Sequence, residues 1–151
     1  MHFIKKVLLI LLIVLVGIQF IPTKRNQNQQ ILESDISKTF TLPAEIQTIF
    51  KNSCYDCHSN NTNYPWYNKI QPVSWLLENH IKEGKKELNF NEFGSYSKRK
   101  QKNKLKSIKN QVIDDEMPMF SYTLIHKKAK LTESDKNLIK NWANKLMDSL
   151  K

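Results

Sequence analysis

Outside one pentapeptide this 151-residue chain has no cysteine, and its two cysteines stand three positions apart in Cys54-Tyr55-Asp56-Cys57-His58. Without a second cysteine pair, a structural zinc site of four protein ligands lacks partners. Strand signals are missing as well, which removes the α/β frame in which a Cys-x-x-Cys pair serves as a thiol redox centre. There is no internal repeat. The basic run Lys98-Arg99-Lys100-Gln101-Lys102-Asn103-Lys104 has no interleaved aromatics and no accompanying nucleic-acid motif, so nucleic acid is not an expected partner. Acidic residues are the scarcer charge, 14 against 24 Lys and Arg, for a net +10. Such a surplus makes a solvated lysine-rich surface, and it also steers a protein toward acidic partners or an anionic membrane surface.

What the pentapeptide does contain is specific. Two thiols at this spacing followed at once by histidine form the attachment signature of a c-type haem, with the thiols forming thioethers and His58 serving as the proximal iron ligand. His58 Nδ1 is expected to donate to a backbone carbonyl, which fixes the ring and strengthens its donation to metal, with the loops at Pro65 and Pro72 as the source of that carbonyl.

Ahead of the motif lies an apolar run from Val7 to Phe20, preceded by Lys5 and Lys6 and followed by the bulky Ile18-Gln19-Phe20-Ile21-Pro22. No small-x-small cleavage site is present, so the sequence predicts a retained anchor over residues 1–22 rather than a cleaved signal. Counted from Phe3 to Ile21 the stretch is close to the ~20 residues of a transmembrane helix. Haem attachment then predicts a domain facing the periplasm, held to the membrane by this single helix. Residues 23–40 are polar and Asn/Gln-rich and read as a tether. Residues 41–151 form the predicted domain, about the size at which one modest core is buried.

The domain reads as all-α. Pro43 opens a helix with Ile46, Ile49 and Phe50 on one face. A second runs from Pro72 to Glu83 with Gly84 past its end, and a third from about Ser97 to Asp115 with Leu105, Ile108, Val112 and Ile113 inward. Thr132 and Asp135 cap a last helix whose stripe is Leu138, Ile139, Trp142, Leu146 and Leu150. Between the first two helices, Tyr64, Trp66 and Tyr67, with Trp75 beyond them, are candidates to pack on the porphyrin as well as to fill the core.

The sixth iron ligand has several candidates. They are Met117, Met119, His80 and His126. Met117 precedes Pro118 between two predicted helices and is the first choice, while His80 or His126 would make the site bis-histidine.

The string from His58 to Tyr67 with its Tyr64-Pro65-Trp66-Tyr67 block, then Gln71-Pro72-Val73-Ser74-Trp75-Leu76-Leu77, Leu88-Asn89-Phe90 and Met117-Pro118, resembles the small haem-binding domain family of c-type cytochrome-like proteins. The resemblance covers nearly all of residues 41–150. It implies one covalent haem c with its iron and the Met-Pro methionine as distal ligand. The family tends to carry Gly-Arg where this chain has Gly84-Lys85, and a second proline at Met119. Together these features predict a cytochrome c-like helical domain around one covalent haem, behind a transmembrane helix, that carries single electrons between redox partner proteins without being an enzyme. The alternative is a haem peroxidase or a gas or redox sensor with an open sixth position.

Overall fold

A computed structural model describes residues 2–28 and 30–150. Met1, Gln29 and Lys151, which fall in the expected anchor, tether and domain, lie outside the described residues. The architecture is all-helical, as expected. Among the described residues eight α-helices follow in order: α1 His2–Ile18, α2 Ile36–Thr39, α3 Ala44–Ser53, α4 Tyr55–His58, α5 Val73–Glu87, α6 Lys98–Ile113, α7 Phe120–Ile125 and α8 Glu133–Ser149. Short 3₁₀ turns at Trp66–Lys69, Phe90–Ser95 and Lys127–Ala129 join them.

The core forms where the sequence stripes converge. Ile46, Ile49 and Phe50 of α3 meet Leu105, Ile108 and Val112 of α6 and Ile139 of α8, all buried. Phe50 is its aromatic centre, 4.8 Å from the Phe90 ring and 5.2 Å, edge-on, from Trp142. Two elements start where the sequence places their caps. Ser97 Oγ accepts from the Lys100 amide at the head of α6, and Thr132 with Asp135 forms a reciprocal capping box on α8. Ile113 and Leu138, expected inward, are instead exposed at 42% and 40%. Helix α5 runs through Gly84 to Glu87 rather than stopping before it.

The expected N-terminal membrane span is not found. Helix α1 has 17 residues; at ~1.5 Å of rise each it reaches about 25 Å, short of the ~30 Å hydrocarbon layer. Lys5 and Lys6 sit inside it, so its uncharged part begins only at Val7. The residues counted toward the span at its far end leave the helix: Gln19, Phe20 and Ile21 donate to the third carbonyl back, in a turn. Gln19 is also committed to the domain, with Nε2 donating to the Gln71 carbonyl at 3.1 Å and Oε1 accepting from the Gln71 amide at 2.9 Å. Among the described residues no helix is long and apolar enough to cross a membrane. The membrane-anchored localisation, with a periplasm-facing domain hung from that helix, falls with it.

The polar segment that follows lies against the domain. Asn26 donates its amide to the Tyr64 hydroxyl at 2.6 Å, and its side-chain nitrogen to the Ser59 carbonyl at 2.8 Å and Thr62 Oγ1 at 2.9 Å. Gln27 pairs with Asn61 in an antiparallel bridge. Asp35 caps α2 through the Ser37 amide and accepts from Asn91 Nδ2 at 2.6 Å, which sets Ile36 into the core at 0% exposure. Deleting most of that side chain in Ile36→Ala is expected to lower unfolding free energy by about 2–5 kcal/mol in a denaturant titration. A free linker would give no measurable change.

Candidate functional site

Helix α3 ends on Cys54, whose amide still donates to Phe50 at 2.9 Å, and Cys54 is at once the cap of the single-turn α4. The Cys54 carbonyl accepts from Cys57 and His58 at 3.2 and 3.0 Å, so this turn places the second thiol and the imidazole directly after the first. Helix α5 crosses this turn at Gly84. A Cβ at position 84 would stand 2.9 Å from the Cys57 carbonyl oxygen and 3.3 Å from its Cβ, tighter than side chains tolerate. Glycine is therefore needed inside α5 for close approach, which is why it does not end the helix there.

That approach fixes the imidazole. His58 Nδ1 donates to the carbonyl oxygens of Gly84 at 2.9 Å and Leu88 at 3.0 Å, at the end of α5. A carbonyl partner was expected, but from the wrong loops: the Pro65 and Pro72 carbonyls accept from Asn68 and Leu76 instead. With Nδ1 carrying the proton, Nε2 is the ring nitrogen left as a lone-pair donor. Burial holds the imidazole below its ordinary pKa and the Lys104 charge adds to this, while the two carbonyls pull the other way. Neutral imidazole is the form that ligates metal.

A cavity of about 320 Å³ opens beside this turn. Cys54, Cys57 and His58 form one wall, and His80, Glu83, Gly84 and Glu87 of α5 the next. Leu88, Phe90, Ile108 and Val112 supply its apolar surface, and Lys104, Ser107 and Gln111 line it from α6. Met117, Pro118, Met119 and Tyr122 complete the enclosure.

Met117 arrives there through the C-terminal turn of α6. Asp115 takes the left-handed conformation (φ 57°), its amide donates to Val112 at 3.4 Å, and Glu116 and Met117 donate to the Gln111 carbonyl at 2.9 and 3.1 Å. This is a Schellman turn with aspartate where glycine is usual. Lys136 of α8 bonds the Asp115 carboxylate at 2.7 Å and Glu133 at 2.8 Å, holding the turn from outside. The Met117–Pro118 bond that follows is cis.

The site thus gathers Cys54, Cys57, His58, Met117 and His80. Tyr64, Trp66, Tyr67 and Trp75 are not among its lining residues. Trp66 is 74% exposed, the Tyr64 hydroxyl is taken by Asn26, and the Tyr67 hydroxyl bonds His126 Nε2 at 2.7 Å. His126 stacks on Tyr122 at 4.2 Å and lines a separate polar groove. Met119, also a candidate ligand, lines the cavity beside Met117. Sequence reasoning missed Phe90 and Lys104 as site residues. Phe90 had a signal, since it belongs to the Leu88-Asn89-Phe90 string of the resemblance, whereas Lys104 was one lysine in a run of them.

Asp56, between the cysteines, ties the site's outer edge: its carboxylate accepts from Tyr122 Oη at 2.6 Å and the Asn63 amide at 3.0 Å, and its carbonyl from Thr62 Oγ1. Both thiols are pushed up, Cys54 to about 12 by burial and then by Cys57, Cys57 to about 11 by burial and then by Asp56. Redox-active Cys-x-x-Cys pairs shift the opposite way, toward stable thiolate.

An all-helical domain whose one turn sets two thiols and a carbonyl-oriented imidazole against an apolar cavity is a cofactor-binding domain. The haem-binding domain family matches residues 13–145, and the chain belongs to it. No curated protein and no solved structure matches the chain. The cavity fits the group: apolar side chains for the porphyrin face, and a neutral imidazole with Nε2 unengaged.

Adding one methyl at the α4–α5 crossing tests this geometry. Gly84→Ala is expected to force the helices apart at a cost on the order of 1–3 kcal/mol in a denaturant titration and to lower the haem-to-protein absorbance ratio. Wild-type values for both would show that the crossing has slack.

Proposed function

We propose that this haem protein is a monohaem c-type cytochrome that carries single electrons. The observation that carries the reading is the His58 ring, anchored on two carbonyl oxygens at 2.9 and 3.0 Å beside the Cys54 and Cys57 thiols, in the cavity that Met117 also lines. Bound haem supplies a one-electron couple at its iron. Cys54 and Cys57 would hold it by addition of each S–H across a vinyl double bond, which forms S–C and C–H bonds and needs no oxidant. His58 Nε2 would ligate the iron on one side, its basicity raised by the bonds that Nδ1 donates. Met117 would ligate the other, presented by a backbone turn rather than by a helix face. Phe90, Ile108 and Val112 exclude water from this space. With His58 and Met117 both holding the group, no coordination site would be left for a substrate, which favours a carrier over an enzyme.

The ferric absorption spectrum tests the assignment. A weak methionine-to-iron charge-transfer band is expected in the wild type and should vanish in Met117→Ala. A wild-type spectrum that is already high-spin would instead favour the peroxidase or sensor reading.

The net charge of +10 supports an acidic redox partner. Its exchange rate with such a protein is expected to fall on the order of tenfold from low to high ionic strength in stopped-flow mixing. A flat salt profile would remove charge steering from the proposal.

A further inference from the structure

A haem brings two propionate carboxylates, and a site for it needs cationic or hydrogen-bonding groups where they emerge. Lys85, beside the glycine at the α4–α5 crossing, does not supply one. Lys85 points away, its Nζ donating to Asn26 Oδ1 at 2.6 Å to hold the N-terminal segment, and it does not line the cavity. Among the described residues, Lys104 of α6 is the one lysine or arginine that lines it. Its side chain is 23% exposed, and its ion-pair partner is Glu87 at 3.6 Å, a carboxylate itself 75% exposed and weakly held at that distance. Ser107 and Gln111 follow at the third and seventh positions on the same face of α6, adding hydroxyl and amide donors between Lys104 and the Met117 turn. Lys104 also lies close enough to His58 for its charge to act on that ring.

We infer that Lys104, with Ser107 and Gln111 beside it, forms the propionate-binding edge of the cavity and fixes which way round the haem sits. The inference rests on the haem reading of this site. Lys104 acts as a positioning residue, displacing the loose Glu87 contact in favour of a propionate. With haem held by His58, the Lys104 charge that acts on that ring would disfavour the ferric form and so raise the reduction potential.

The test measures resonance Raman propionate-bending bands and midpoint potential on the full haem-loaded chain. In Lys104→Gln the band is expected to shift and the potential to fall. In Lys104→Arg, which keeps the charge and the fold, the potential should return toward wild type while the band still moves, because a planar guanidinium bonds a carboxylate differently. Glu87→Gln should leave the band in place. A band unchanged in both Lys104 variants overturns the inference whatever the potential does, since a charge acting through space alone would move only the potential. If Lys104→Gln fails to accumulate, the arginine variant decides by the same band. A wild-type chain without haem would sink the haem reading itself, a result distinct from haem-loaded variants with an unmoved band.

Discussion

The contact between α4 and α5 at Cys57 and Gly84 is the constraint on which the site depends. A helix backbone approaches another this closely only without a side chain between them. The closeness brings the carbonyl of Gly84 in the last turn of α5 and that of Leu88 just after it within 2.9 and 3.0 Å of His58 Nδ1. In a helix interior those oxygens would be taken up by amides further along. Near the C-terminus of α5 the Gly84 oxygen already accepts from the Leu88 amide at 2.9 Å and has its second lone pair to give, and Leu88 lies past the helix end. One glycine thus sets the ring's tautomer and its orientation together.

The other side of the cavity is held by a different device. Met117 is carried by a Schellman turn whose left-handed residue is aspartate, a conformation that glycine adopts at less cost. Aspartate brings what glycine cannot, a carboxylate for Lys136 of α8 at 2.7 Å. That pair ties the turn to the helix that packs along α6. The thioether position is therefore referred to the same α6–α8 framework that buries Leu105, Ile108 and Ile139, rather than to a freely moving loop.

Much of this was legible in sequence, for local reasons. The α3 and α6 stripes obey the helical period, Thr132 and Asp135 satisfy each other within one turn, and Cys54, Cys57 and His58 are joined by only four peptide bonds in one turn. The rest depended on long-range pairs with no periodic signature. Nothing near Asn26 announces that it bonds Tyr64, Ser59, Thr62 and Lys85, so the segment read as a tether. The length of α1 was overcounted because Phe20 and Ile21 extend a hydropathy run past Gln19, while the Gln19 side-chain amide is pinned to Gln71. The Tyr64 to Tyr67 block follows the haem motif closely in sequence, yet its hydroxyls find Asn26 and His126. Proximity along the chain does not place an aromatic ring at a cavity when its polar end has a better partner elsewhere.

Helix α6 then explains why cofactor and fold are linked in so small a domain. Ile108 and Val112 belong both to the buried core and to the cavity wall, and Phe90 touches both His58 and the central Phe50. No layer of protein separates the two. Filling the cavity with a flat apolar group buries surface on the same side chains that hold α3, α6 and α8 together, so a ligand that binds only the folded state adds its binding energy to the stability of those helices. In a core this size, the porphyrin would act as an interior residue as much as a ligand. The polar row of Lys104, Ser107 and Gln111 on the edge of the same helix marks where that interior ends and solvent begins.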